Sequence, residues 1–157
     1  MSSFVLGLLS DTHGLLRPEA LAALRGCHAI IHAGDVGDLA IVDQLKTMAP
    51  VHAVRGNVDT EPWCRSLPPS AVVPLGGANI YVLHNLKELD LDPIAAGFHI
   101  VVSGHTHKPD VHWRDGILYI NPGSAGPRRF SLPICLARLD LLKTPWRVEF
   151  VHLAAPR

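Results

Sequence analysis

Apolar residues in this chain come in short, nearly unbroken runs separated by polar segments. Runs at residues 4–9, 29–33, 51–54, 80–83 and 100–102 are rich in Val, Ile and Leu. A strand with one wet face would alternate apolar and polar positions, so unbroken runs of this length predict strands covered on both faces. Helical signals lie between the first three. Pro18 suits a first helical turn ahead of residues 19–24 and Gly26 supplies a stop; a second helix is predicted over 38–48, ended by Pro50. Residues 60–70 hold Pro62, Pro68 and Pro69 without periodicity and read as a loop, of a length that often serves a site.

The character changes after Pro109. Residues 111–114 and 117–120 flank Asp115-Gly116, the pattern of a β-hairpin on a type I′ turn. Two further strands, 134–141 and 147–153, are expected to close an antiparallel portion of sheet. A βαβαβ first half followed by a strand-rich second half predicts an α/β (α+β) architecture of two stacked sheets flanked by helices.

Composition narrows the function. With 157 residues, 48% of them hydrophobic, and neither repeat nor low-complexity tract, the chain reads as a single domain over 1–157. Lys and Arg number 14, as do Asp and Glu, which removes the broad positive footprint of a duplex nucleic-acid binder and favours a small substrate. Cys27, Cys64 and Cys135 are odd in number and lack CxxC spacing, against a disulfide scaffold or a thiolate zinc site. The run at 4–9 is too short for a signal peptide or a membrane span, so a cytoplasmic location is expected.

The chain carries ten histidines, and their positions are informative. Leu9 leads into Ser10-Asp11-Thr12-His13, Ile31 into Gly34-Asp35, Val54 into Gly56-Asn57, Leu83 into His84 and Val102 into Gly104-His105-Thr106-His107. Carboxyl ends of strands in open α/β sheets converge on one crevice, so Asp11, His13, Asp35, Asn57, His84, His105 and His107 are expected to meet there. Any one block is as readily ordinary turn chemistry, and a pair of surface histidines is unremarkable; five blocks at five strand ends are not. Imidazole, carboxylate and amide oxygen without thiolate suit an open catalytic site for Mn²⁺, Fe, Ni²⁺ or Zn²⁺. Seven ligands exceed one ion's needs and match two ions sharing one carboxylate. The remaining histidines, at 28, 32, 52, 99, 112 and 152, match no such block and read as packing or surface residues.

These blocks, together with Asn121-Pro122-Gly123-Ser124, resemble in order and spacing the calcineurin-like metallophosphoesterases, most of all their small bacterial and archaeal phosphodiesterase branch. The resemblance implies a four-layer αββα sandwich of two stacked mixed sheets. It also implies one ion on Asp11, His13 and His107, a second on Asn57, His84 and His105, and Asp35 bridging. Manganese is the ion it favours first, with iron, nickel or zinc as alternatives. The activity it implies is hydrolysis of small or nucleotide-like phosphodiesters by a water the two ions share, with His13 and Asn57 acting in catalysis as well as ligation. Val58 stands where many larger relatives have a proton-donating His, which leaves Asp59, His13 or a metal-bound water as candidates for the acid. Asn85 stands where a Gly more usually follows the ligand His. Trp63 and Arg65 on the proline-rich loop, and Arg128 beside Arg129, are candidate substrate contacts. Competing expectations are a protein-interaction scaffold of the same fold and a nuclease; a homodimer is also expected, and membrane binding is not.

Overall fold

The structure is a computed structural model that describes residues 2–154. Ten strands form two five-stranded mixed sheets. The first sheet has the order β10-β9-β1-β2-β3, built from β1 (Val5–Leu9), β2 (Ala29–His32), β3 (Val51–Ala53), β9 (Cys135–Asp140) and β10 (Val148–His152). The second has the order β4-β5-β6-β8-β7, built from β4 (Ser70–Leu75), β5 (Ala78–Leu83), β6 (Ile100–Val102), β7 (Asp110–Arg114) and β8 (Ile117–Asn121). In the first sheet β1, β2 and β3 run parallel, and in the second β5, β6 and β8 do.

Side-chain alternation explains the layers. Leu6, Leu8, Ala29, Ile31, Ile80, Val82, Ile100, Val102, Leu118, Ile120, Ala137 and Leu139 face the space between the sheets. Their neighbours Leu9, Ile30 and Leu136 face outward under helices α1 (Pro18–Ala23) and α2 (Leu39–Lys46). Tyr81, Leu83, Val101, Ile117 and Tyr119 face the other way, under Leu86, Leu89, Leu91 and Phe98. Each strand of the parallel cores is thus covered on both faces, as its unbroken apolar run requires. Each fully buried Leu or Ile contributes roughly 1.5–3 kcal/mol. Helix α2 starts where the Asp38 carboxylate accepts from the Ala40 N–H at 3.0 Å, and it buries Ile41, Val42 and Leu45. The layer outside the second sheet is a meander holding one 3-10 turn, Leu86–Glu88.

The expected loop at 60–70 is corrected. Pro62–Ser66 winds into a 3-10 helix that starts on Pro62, and Ser70 already belongs to β4. β4 pairs antiparallel with β5 through a Gly76-Gly77 turn whose φ angles, 55° and 82°, both need the left-handed region. The Asp115-Gly116 turn, with φ of 52° and 79°, has the signs of the expected type I′ hairpin.

Candidate metal centre

All the parallel strands point their carboxyl ends the same way, and the loops leaving them hold the predicted ligands. β1 delivers Asp11 and His13, β2 Asp35, β3 Asn57, β5 His84 and β6 His105 and His107. Two groups result: Asp11 with His13 and His107, and Asp35 with His84 and His105, the ligand atoms within each lying no more than 4.8 Å apart. His107 Nε2 lies 3.4 Å from Asp11 Oδ1 and 3.2 Å from His13 Nε2. Asn57 joins the second group, its Oδ1 3.3 Å from His105 Nδ1. Asp35 Oδ2 sits between the groups, 3.1 Å from His84 Nε2 and 3.7 Å from His13 Nε2.

The side chains are held by one atom and left free at the other. Asp11 Oδ2 accepts from Ser10 Oγ at 2.7 Å and from the His105 N–H at 3.1 Å, while its Oδ1 has no hydrogen-bond partner. Asp35 Oδ1 accepts from the Val58 N–H at 3.0 Å, which leaves Oδ2 aimed inward. His84 donates Nδ1–H to the Ala33 carbonyl at 2.7 Å, so Nε2 of the neutral ring presents a lone pair to Asp35 Oδ2. Two buried acceptors facing each other at 3.1 Å repel unless something positive lies between them. A divalent cation meets that need, so the donor set fits two metal ions. Without one, protonation of His84 relieves the same clash. Burial opposes this, but Asp35, the Ala33 carbonyl and Asp11 outweigh it and raise the His84 pKa. Burial likewise pushes Asp11 and Asp35 upward, and their histidine and hydrogen-bond partners more than reverse it, holding both below the usual carboxylate range.

Backbone strain is concentrated here. Asp11, His13, Asp35, His105 and His107 all have positive φ, between 46° and 75°, a region that L-residues seldom occupy. Close approach of the loops adds a second constraint: a Cβ at Gly56 would strike the Asp35 carboxylate, and one at Gly104 would strike Ser10 Oγ. The Asn121–Ser124 turn braces from below. Asn121 Nδ2 donates to the Gly104 carbonyl at 3.0 Å, and Ser124 Oγ donates to the Asp11 carbonyl at 3.1 Å.

The expected roles of four residues are corrected. Asp59 is 5% exposed and accepts from the N–H groups of Val36, Gly37 and Gly56 at 2.8–3.0 Å. Its carboxylate ties the Asp35 loop to the Asn57 loop and faces no leaving group, so it is a positioning residue rather than an acid. Trp63 packs against the helix-side core, and Arg65, on the same 3-10 helix, lines neither of the two cavities at the centre. Arg128 reaches back to the Leu132 carbonyl at 3.4 Å, whereas its neighbour Arg129 lines the second cavity.

Two functional residues went unread in the sequence. Arg55 lines the first cavity beside Asn57 and His84. His32 is fully buried: its Nδ1 accepts from the Gly34 N–H at 3.1 Å, so the proton is on Nε2, which donates to Thr12 Oγ1 at 3.0 Å. Thr12 Oγ1 in turn donates to the Val36 carbonyl at 2.8 Å. Burial drives the His32 pKa down to about 4 despite nearby carboxylates, which keeps the ring neutral. Only its place at the end of an apolar strand, like the ligands, hinted at this.

Two adjoining groups of nitrogen and oxygen donors joined through one carboxylate are the build of a metal-dependent hydrolase of phosphoric esters. The sequence profile of the calcineurin-like phosphoesterase superfamily domain matches residues 4–144, and the chain belongs to that family. It is 30% identical over 165 aligned residues to a probable metallophosphoesterase of Methanothermobacter thermautotrophicus, covering 97% of this chain and 94% of that protein. It is 26% identical over 161 residues to a phosphodiesterase of Methanocaldococcus jannaschii, covering 90% and 96% respectively. Vacuolar Protein Sorting 29 from Cryptosporidium parvum shares the fold at a TM-score of 0.77 and 21% identity, covering 97% of this chain and 100% of that one.

Proposed function

We propose that this chain is a cytoplasmic phosphodiesterase that uses two divalent cations, manganese foremost, with iron, nickel or zinc as alternatives. Its substrates are small or nucleotide-like diesters. One observation carries the reading: Asp11 Oδ1 and His84 Nε2 are buried without a hydrogen-bond partner while the opposite atom of each side chain is tied down, and Asp35 Oδ2 lies 3.1 Å from His84 Nε2. When bound, the ions supply an acidified water and neutralise charge gathering on the phosphoryl oxygens.

The chain's own residues then do the rest. Asp11, His13 and His107 would hold one ion and Asn57, His84 and His105 the other, with Asp35 shared. Asn57, at the solvent edge, keeps its Nδ2 for a phosphoryl oxygen, and the half-buried His13 ring faces the reacting centre. Leaving-group protonation has no dedicated donor, because Val58 offers none and Asp59 is engaged with three backbone N–H groups. Diesters with acidic phenol leaving groups, which depart without a proton, should therefore react far faster than alkyl diesters.

The scaffold alternative draws support from the shared fold of Vacuolar Protein Sorting 29. It leaves unexplained why all seven ligand positions are filled and five of them strained. The deciding experiment depletes the protein of metal, restores each of the four ions, and assays bis(4-nitrophenyl) phosphate, 4-nitrophenyl phosphate and cyclic nucleotides. Manganese should restore diester cleavage; no turnover of any diester with any ion would defeat the proposal and favour the scaffold.

A further inference from the structure

Two cavities meet at the centre, one of about 400 Å³ and one of about 610 Å³, and both are lined by Asn85 and His105. They carry opposite charge. The smaller has Arg55 facing Glu88 and Asp90. The larger has Lys87, Lys108 and Arg129 against a single carboxylate, Asp110, which is already 2.7 Å from His112 Nδ1. In a chain whose formal charges cancel, this is a local concentration of cations in a concave site. Among the described residues none of these three cations is consumed by an ion pair; the one Lys or Arg pair is Lys143 with Asp140, at 3.8 Å.

The backbone that carries the two lysines is tied to the loops of the candidate metal ligands. Lys108 follows His107 directly, and its N–H donates to Thr106 Oγ1 at 3.2 Å. Lys87 lies on the 3-10 turn that leaves His84, its N–H bonded to Asn85 Oδ1 at 3.1 Å. Below them Tyr119 and His112 stack at 5.0 Å between ring centroids, giving the cavity a flat aromatic floor.

We infer that the larger cavity is a subsite for an anionic group on one arm of the substrate, so that the preferred diester carries a second negative charge, a phosphate, sulfonate or carboxylate, away from the scissile phosphorus. This deepens the proposed phosphodiesterase activity and rests on it. Lys87, Lys108 and Arg129 supply the charge and the aromatic floor accepts the spacer, while the smaller, acid-lined cavity disfavours the same arm.

The test uses three 4-nitrophenyl phosphodiesters with identical leaving groups, whose other arm is ethyl, 2-sulfoethyl or 2-(trimethylammonio)ethyl. At low ionic strength kcat/KM should favour the sulfoethyl ester over the ethyl ester by about tenfold, chiefly through KM, and disfavour the cationic ester. Raising the salt to several hundred millimolar should shrink the preference, and the K87Q/K108Q/R129Q variant should abolish it. Equal values for all three esters, or a preference that survives in the variant, would overturn the inference. If the metal-loaded protein cleaves none of them, the phosphodiesterase reading fails, and calorimetric binding of the same esters to metal-free protein still decides the subsite: tighter binding of the sulfoethyl ester, lost in the variant, sustains it, and equal binding removes it.

Discussion

The two halves of the metal centre use the same kinds of side chain but are held differently. Asp11 and His107 are buried, and the loop that carries Asp11 is locked by Ser10, Ser124 and the Ala125 N–H, which donates to the Ser10 carbonyl at 3.0 Å. None of Asp11, His13 and His107 lines either cavity. The other half opens outward. His84, His105 and Asn57 all line the smaller cavity, Asn57 is exposed, and the loops bearing Asp35 and Asn57 are cross-linked by the Asp59 carboxylate. One half is a fixed seat and the other a mouth, so substrate and exchangeable ion are expected to enter at the second.

Breaking the join should have the largest effect. Asp35→Ala removes a carboxylate that reaches both groups, 3.1 Å from His84 Nε2 and 3.7 Å from His13 Nε2, and metal analysis should show both ions lost, with kcat/KM falling about a thousandfold. Asn57→Ala should lose one ion only and keep the other near full occupancy. Retention of one full equivalent by Asp35→Ala would refute the bridge.

A smaller effect comes from His32, which stitches the Asp11 loop to the Asp35 loop through Thr12 Oγ1, the Gly34 N–H and Val36. Its pKa falls from 6.5 in the unfolded chain to about 4 in the folded one, so the folded state binds fewer protons. The contribution is fully present above pH 6.5 and is lost as pH drops toward 4, about 3 kcal/mol in all. Urea unfolding of metal-free protein should show this loss, and His32→Asn should show a flatter acid limb than wild type; parallel limbs would exclude it.

The smallest effect sharpens the contrast between the halves. Asp59→Asn keeps an acceptor but loses the charge that gathers three N–H groups, and should weaken the second ion about tenfold while sparing the first. The ratio of aryl to alkyl diester rates should not change. A much larger ratio in the variant would restore Asp59 as the acid.

The sequence was most legible where chemistry and burial coincide. Every predicted strand is present, because runs such as those ending at Leu9 and Val102 must be covered on both faces. β4 was hidden because it is an edge strand with Pro74 in it and exposed positions such as Val72, so its apolar pattern is broken. The clustering of the seven candidate ligands was legible because each follows a strand end. Their partners were not: Asp59 meets the Val36 and Gly37 N–H groups across 23 and 22 residues of chain, and His32 Nε2 meets Thr12 Oγ1 across 20. Trp63 and Arg65 misled for a related reason, since nothing local shows that a proline-rich segment turns its tryptophan into the core.

The left-handed backbone at five ligand positions has a consequence for how such a chain ages under mutation. His13 sits at a φ of 46°, a conformation that costs a non-glycine residue roughly 1–2 kcal/mol, and its imidazole forms no bond outside the cluster that repays it. Replacement by glycine discards chemistry and relaxes the corner at once. Stability alone therefore does not hold a histidine at this corner.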